Sequence, residues 1–325
     1  MSLGVAIIGA GLIGNKRAAA LPSGVTLRTV FDDVPDRAQA LAGAYPGAVA
    51  TQSLEAALDD TGVGLVIVAT PHHQLATIGI EAVRRGRDVL LEKPGAHRLD
   101  ALLALEQAAS ETARRVRVGF NHRFHPSFLR AREVVGSGTY GEVFSIRARY
   151  GHGGRPGYEK EWRAQREISG GGELIDQGLH LIDLVRYLVG DVDLAFSELR
   201  TDFWAMDVED NAYLALRART GAFAWLHASW TEWKNLFSFE LAMRDAKLDV
   251  QGLGGSYGTE RLTLYEMSPE MGPPPATSWE WPPPDASWSR ELADVVTDIE
   301  GGSSVGADLS DCIAAFRVVE EAYGR

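Results

Sequence analysis

Along the first third of the chain, short apolar runs alternate with segments whose apolar residues recur at helical spacing. VAII from Val5, VTLRTVF from Val25, LVIVAT from Leu65, DVLLE from Asp88 and VRVGF from Val116 predict buried strands. Ala- and Leu-rich stretches, around Ile78 to Arg85 and Leu99 to Ala113, predict helices between them. This alternation implies a parallel sheet covered on both faces and joined by right-handed crossovers. The expected fold class is α/β, opening with a doubly wound nucleotide-binding domain.

After Asn121 the pattern changes. A helix near Pro126 to Val135 leads into GEVFSIRARYGH, a long alternating strand. LAFSELRTDFW, NAYLALRAR, GAFAWLHASW, LFSFELAMRD, AKLDVQGL and RLTLYEM alternate likewise, with no helix between them. They predict an antiparallel sheet with one face buried and one available. MGPPPATSWEWPPPDASW reads as a proline-rich surface excursion that cannot enter a central strand. Helices from Arg290 and Leu309 close the chain. The expected domains are 1–122 and 123–325, with the C-terminal helices free to pack back on the first.

One segment, GGGELIDQGLHLIDLVRYLVG from Gly170, predicts a helix opened by a glycine-rich loop. At about 100° per residue, Glu173, Asp176, His180, Asp183 and Tyr187 share a stripe opposite Leu174, Leu181, Ile182, Val185 and Val189. The stripe is either a solvated side or the lining of a cleft where a proton moves. Gly178 costs about 1 kcal/mol relative to alanine, which close approach of another backbone or a ligand would justify. The stripe also carries no lysine or arginine, unlike most solvated faces.

Composition narrows the partners. The 325 residues are 45% hydrophobic and 23% charged, ordinary for a globular protein. A formal charge of −12 disfavours nucleic acid or an anionic membrane as a general partner. Cys312 is the single cysteine, so no intramolecular disulfide forms, and its apolar neighbours suggest a core thiol. No run approaches transmembrane length and the amino terminus lacks a signal-peptide pattern, so a cytoplasmic location is expected.

Gly9-Ala10-Gly11-Leu12-Ile13-Gly14 is a G-x-G-x-x-G that follows the first strand and opens a helix. Its glycines permit a tight turn, backbone approach to a pyrophosphate and close helix packing. Unpaired N–H groups at the helix start then face the phosphates. Asp32, ending the second run, suits a ribose 2′-hydroxyl. Asp32 and Asp33 together should repel a 2′-phosphate, which favours NAD over NADP; Arg37 weakens that preference. Lys16 and Arg17 either contact phosphate or form a solvated helix face. LLEKPGA places Glu92, Lys93 and Pro94 beyond a strand's carboxyl end, where ligands of such sheets bind. Lys93 there is either an exposed loop lysine or a group that polarises a substrate oxygen.

These motifs, with ATPHH, VGFNHRFHP and EWR, stand in the order and spacing of a known family. The chain resembles the glucose–fructose oxidoreductase / inositol dehydrogenase / MocA-like (Gfo/Idh/MocA) oxidoreductases over nearly its whole length. The resemblance implies an N-terminal NAD(P)-binding Rossmann domain and a C-terminal α/β domain with a large open, mainly antiparallel sheet. It further implies sugar, cyclitol or sugar-derivative substrates, possibly nucleotide sugars, and a homo-oligomer (dimer or tetramer). The family's catalytic lysine falls on Lys93, and its helix acid and histidine on Asp176 and His180. Glu92, Thr70 and Pro71 match positions bordering the cofactor. Asn121, Arg123, Trp162 and Arg163 match positions lining the nicotinamide and substrate cleft. Many members have a histidine where this chain has Leu75; His72 or His73 would substitute as the cofactor contact.

The implied chemistry is removal of a hydroxyl proton by His180 as hydride leaves the carbinol carbon. Lys93 would stabilise the oxygen, and Asp176 would orient the imidazole or grip a neighbouring hydroxyl. No metal is expected: His72, His73, His122, His125 and His180 lack a ligand spacing. The loop with Arg155, Tyr158, Lys160, Trp162, Arg163 and Arg166 is either an anion pocket or a solvated loop balanced by Glu159, Glu161 and Glu167. Trp204, Trp225, Trp230 and Trp233 suggest core or subunit interface. Three function classes remain: a dehydrogenase with exchangeable nucleotide, a sugar–sugar oxidoreductase or hydro-lyase-like enzyme that retains it, and a non-catalytic NAD-binding sensor.

Overall fold

The computed structural model describes residues 3–270 and 272–325. By internal contacts the chain forms two compact units, Met1–Asn121 with Trp288–Ile313, and His122–Ser287 with Ala314–Arg325.

In the first unit, β1 (Leu3–Ile8), β2 (Val25–Phe31), β3 (Val49–Ala50), β4 (Val63–Val68), β5 (Asp88–Glu92) and β6 (Val116–Gly119) form a parallel sheet. Their order, among the described residues, is β3-β2-β1-β4-β5-β6. The connections carry α1 (Leu12–Ala19), α2 (Pro35–Gly43), α3 (Leu54–Asp59), α4 (His72–Arg84) and α5 (Leu99–Thr112). Continuous apolar runs were the right signal for β1, β4 and β5, which are buried on both faces, whereas β2 exposes Thr26 and Arg28. The two-residue β3 escaped the sequence reading, since so short a strand has no period to detect. Val5, Ile7, Leu27, Val30, Leu65 and Ile67 form the core, joined by Leu292 and Val295 of the helix Ser287–Ile299.

Among the described residues the second unit is built on eight strands: β7 (Val143–Gly151), β8 (Val192–Arg200), β9 (Asn211–Ala218), β10 (Phe223–Ser229), β11 (Leu236–Met243), β12 (Ala246–Gln251), β13 (Glu260–Glu266) and β14 (Ala276–Trp281). The order is β14-β13-β12-β11-β7-β10-β9-β8 among the described residues. Among the described residues every pairing is antiparallel except β7 with β10, so the sheet is mainly antiparallel with one parallel pair. The proline-rich stretch contains β14, an edge strand on β13, because an edge leaves one row of backbone groups without a strand partner and so tolerates nearby prolines. Leu236 to Met243 shows why alternation read well: Phe237, Phe239, Leu241 and Met243 are buried and their neighbours are not.

Helices α6 (Pro126–Gly136), α7 (Arg166–Ser169) and α8 (Leu179–Val189) belong to this unit. Helix α8 packs on β7 and α6 packs on β13. Helices α9 (Ser287–Ile299) and α10 (Leu309–Ala322) close the chain. On the outward face of the sheet, Phe196 and Trp225 are exposed and stack at 5.9 Å and 12°. Trp230, by contrast, is fully buried with Tyr158 and Val208. No helix among the described residues is long and apolar enough to cross a membrane.

Candidate active site

The glycine loop after β1 is shaped by close approaches. Gly9 has φ +95°, and a Cβ there would lie 2.6 Å from the Ala69 carbonyl oxygen. A Cβ on Gly14 would lie 1.9 Å from the Gly9 carbonyl oxygen, which keeps α1 tight against the turn. At Gly11 a Cβ would meet nothing within 4 Å, so this backbone is open to a ligand. Leu12 is exposed and Ile13 half-buried at the helix start. Asp32 ties the loop to β2: its Oδ2 accepts the Ala10 N–H at 2.7 Å and its Oδ1 that of Val34 at 2.8 Å. Arg37 Nη1 stands 4.0 Å from Asp32 Oδ1. Thr70, at the end of β4, has a buried Oγ1 with no hydrogen-bond partner among the described residues. These features fit a dinucleotide, which would lay its pyrophosphate on the Gly9–Gly14 turn and its ribose hydroxyls near Asp32.

The Lys93 loop is held from below. Glu92 accepts the Arg17 Nε–H at 2.5 Å, and Glu291 accepts an Arg17 Nη1–H at 2.5 Å. Arg17 is fully buried and its guanidinium lies 4.6 Å from the Trp288 ring. Its neighbouring carboxylates outweigh burial and raise its pKa, so it stays protonated. This overturns the solvated-face reading of Arg17, while Glu92, expected beside the cofactor, also anchors the loop through Arg17. Lys16, exposed, lies over the same Trp288 ring at 5.2 Å. A Cβ at Gly119 would come within 2.4 Å of Arg17 Nη2. Cys312, the expected core thiol, is fully buried and donates to the Pro94 carbonyl at 3.3 Å. Lys93 itself is half-buried, Asn121 is buried, and Pro71 and His73 are half-buried beside the start of α4. His73 meets the His97 ring edge-on at 6.4 Å, while Leu75 is in the core.

In the second unit, the segment expected as one regular helix has two parts. Leu174–Gly178 is a π-helical turn, and α8 follows from Leu179. Such turns often occur at functional sites because the widened turn re-aims side chains. The solvated alternative for the polar stripe fails: Glu173, Asp176, His180, Asp183 and Tyr187 are each 8% exposed or less. A helix buried all round explains the missing lysines. Gly178 is explained by packing, since a Cβ there would lie 3.0 Å from Leu174 Cδ1 and 3.5 Å from Ala228 Cβ on β10.

Buried charge on this helix is matched by partners from several elements. Arg123, expected in the substrate cleft, is buried and forks onto Asp183, with Nε to Oδ2 at 2.9 Å and Nη2 to Oδ1 at 2.6 Å. It also lies 5.1 Å from the Tyr187 ring. Arg163 Nε stands 3.3 Å from Asp176 Oδ2 and its guanidinium is 4.4 Å from the Trp162 ring, so Trp162, Arg163 and Asp176 do come together. Elsewhere in that loop Arg155 pairs with Glu161 and Arg166 bonds the Asp207 carbonyl. Arg155 and Glu161 pair within the loop, whereas Arg163 and Arg166 reach out of it to Asp176 and Asp207.

Three contributors were not foreseen. Glu209 Oε1 accepts the N–H groups of Gly172 and Leu174 at 3.0 Å each and the Tyr323 hydroxyl at 2.7 Å, anchoring the entry to the π-turn. Burial pushes the Glu209 pKa up despite these donors. Tyr257 accepts a Gln177 amide N–H at 3.2 Å; burial pushes its hydroxyl up to about 12. His122 stacks on His180 with centroids 3.8 Å apart. No periodicity marks such residues, because each reaches the helix from a distant element. Among the described residues, no group of three or more His, Cys, Asp and Glu side chains is placed to hold a metal ion.

A parallel sheet in the 3-2-1-4-5-6 order, with a glycine turn after β1 and an acid ending β2, defines a dinucleotide-binding protein. Two family models match the chain: "Oxidoreductase family, NAD-binding Rossmann fold" over residues 3–120 and "GFO/IDH/MocA C-terminal domain" over residues 128–257. The protein belongs to the GFO/IDH/MocA oxidoreductase family. It is 30% identical over 212 residues to levoglucosan dehydrogenase of Pseudarthrobacter phenanthrenivorans, covering 62% of this chain but only 54% of that relative. It is 25% identical over 334 residues to inositol 2-dehydrogenase of Rhizobium meliloti, covering 99% and 96% of the two chains. The crystal structure of GenD2 from gentamicin A biosynthesis, in complex with NAD, superposes with a TM-score of 0.84 at 26% identity, covering 99% of this chain and 93% of that one.

Proposed function

We propose that the protein is an NAD-dependent dehydrogenase that oxidises a secondary hydroxyl of a sugar, cyclitol or sugar derivative, or reduces the matching carbonyl. The observation that carries this reading is the buried polar helix, where Asp176 and His180 lie in a family of oxidoreductases. The levoglucosan and inositol dehydrogenases among its relatives support a polyol substrate. A bound nicotinamide ring supplies a hydride acceptor. His180 takes the hydroxyl proton, acting as a general base, a role suited to imidazole. Lys93 hydrogen-bonds the reacting oxygen and offsets its growing negative charge. Asp176, braced by Arg163, grips a neighbouring hydroxyl or orients the imidazole. Gly9, Gly11, Leu12, Ile13 and Gly14 carry the pyrophosphate, with Thr70, Pro71, His73, Glu92 and Asn121 bordering the nucleotide. Asp32 favours NAD over NADP by repelling a 2′-phosphate. The exposed Phe196–Trp225 pair supports self-association through the outer sheet face.

The test is a panel of cyclitols, anhydrosugars and aldoses assayed by nicotinamide absorbance, with NAD and NADP separately. On the best substrate, His180→Ala should lower kcat by about 100-fold or more while NAD affinity stays within about two-fold. Undiminished turnover in that variant removes His180 from the role.

A further inference from the structure

The ring of His122 lies almost flat on that of His180, with centroids 3.8 Å apart and planes at 20°. Both residues are 5% exposed, so water does little to screen one ring from the other. His122 is itself walled in. His125 meets it edge-on at 5.5 Å, Tyr150 lies at 5.3 Å and Phe237 at 6.2 Å. His125 is held in turn by Glu260 at 2.8 Å, with Asp285 at 4.0 Å. The neighbouring Arg123 clamps Asp183, three residues beyond His180. The short turn Asn121–Phe124 thus holds the helix by a stack and by an ion pair.

We propose that His122 is a positioning residue for the hydride-transfer reaction, fixing the plane of the His180 imidazole and confining the stacked pair to a single proton. This rests on the reading of His180 as the general base. Two imidazolium rings at this separation in a buried site repel strongly, so the doubly protonated pair is excluded near neutral pH. A neutral imidazole face, by contrast, attracts a cation above it. A neutral His122 therefore steadies the His180 imidazolium that forms on proton transfer, and the pair accepts that one proton and no second.

Other titratable and charged groups surround the pair. Glu173, Asp176 and Asp183 lie on the same helix, with Asp176 facing Arg163 and Asp183 facing Arg123. From β7 comes Tyr150, whose hydroxyl burial pushes well above its ordinary pKa, backed by Tyr257. From α6 come His125 at its start, paired with Glu260, and Arg132, lying over Tyr187. The buried residues of β9 and β10, including Leu214, Leu216, Leu226 and Ala228, carry no charge. A stack that served packing alone would be met equally by phenylalanine.

The experiment compares the wild type with His122→Phe and His122→Ala. Imidazole Cε1–H NMR titration of the nucleotide-free protein is run beside kcat and KM profiles from pH 5 to 10. In the wild type, His180 and His122 should protonate in two shared steps; in His122→Phe, His180 should titrate in one full step. His122→Ala should lose about 10-fold in kcat with KM for NAD within two-fold, and His122→Phe should recover to within about three-fold. Superimposable His180 titrations in the wild type and His122→Phe overturn the proposal, whatever the kinetics. His180→Ala, assayed alongside, separates the two ideas: full turnover there refutes the general-base reading, whereas the NMR coupling is read without any turnover.

Discussion

Replacing Arg17 with methionine removes the cation from between two buried carboxylates. The Arg17 side chain is 0% exposed, that of Glu92 11% and that of Glu291 3%. Methionine fills a similar volume, so packing changes little, yet both acids lose their counter-ion. Breaking a buried pair from one side costs about 3–5 kcal/mol, because the stranded charge keeps its desolvation penalty. Loss of the contact with Trp288 at 4.6 Å adds to this. At roughly 2–4 °C per kcal/mol, the melting temperature should fall by about 6–20 °C. The sign with pH is also set. Without Arg17 burial disfavours the ionised form of both acids, so the penalty is largest where they ionise and eases as falling pH protonates them. The deficit should therefore shrink between pH 7.5 and 5. Differential scanning calorimetry across that range is the assay, with Arg17→Met/Glu92→Gln/Glu291→Gln expected to recover at least half the loss. A melting temperature within 2 °C of wild type, or a deficit that ignores pH, would refute the reasoning.

Two further outcomes probe the second unit. Glu209→Ala strands the N–H groups of Gly172 and Leu174 and the Tyr323 hydroxyl, and should cost about 2–4 kcal/mol in urea unfolding; Glu209→Gln, which keeps the accepting oxygen, should cost less than half as much. Equal losses in both variants would assign the effect to charge instead. Burial raises the Glu260 pKa, but the bonds from His125 and Ser127 prevail and hold it below the ordinary value of 4.5. Its contribution is thus present at neutral pH and lost as pH falls through the native pKa. Glu260→Gln should destabilise by about 1.5–3 kcal/mol at pH 7, and acid titration of thermal stability should narrow the gap progressively as pH falls below the ordinary value of 4.5. A gap that does not narrow with falling pH would count against this ion pair.

Much of this protein was legible in its residues taken in order. Buried parallel strands announce themselves as apolar runs, half-buried ones as alternation, and the Gly9–Gly14 turn carries its steric reason in its spacing. That local logic needs no knowledge of distant chain, so β1, β2 and β4 to β13 could be located before any coordinates. The exceptions share a cause. Strand β3 is too short to have a period, and β14 hides among prolines that only an edge position accommodates. Whether the stripe from Glu173 to Tyr187 faced water was undecidable from the helix alone, because periodicity describes one element and burial depends on what packs against it. Only the tertiary structure turned Gly178 into a packing site against Ala228, recast Arg17 as a buried keystone between Glu92 and Glu291, and drew Arg123 onto Asp183. It also laid His122 on His180 across 58 positions of chain. Such pairings are written in no local pattern; they arise when elements far apart in sequence bury polar groups together and each group must find a partner there.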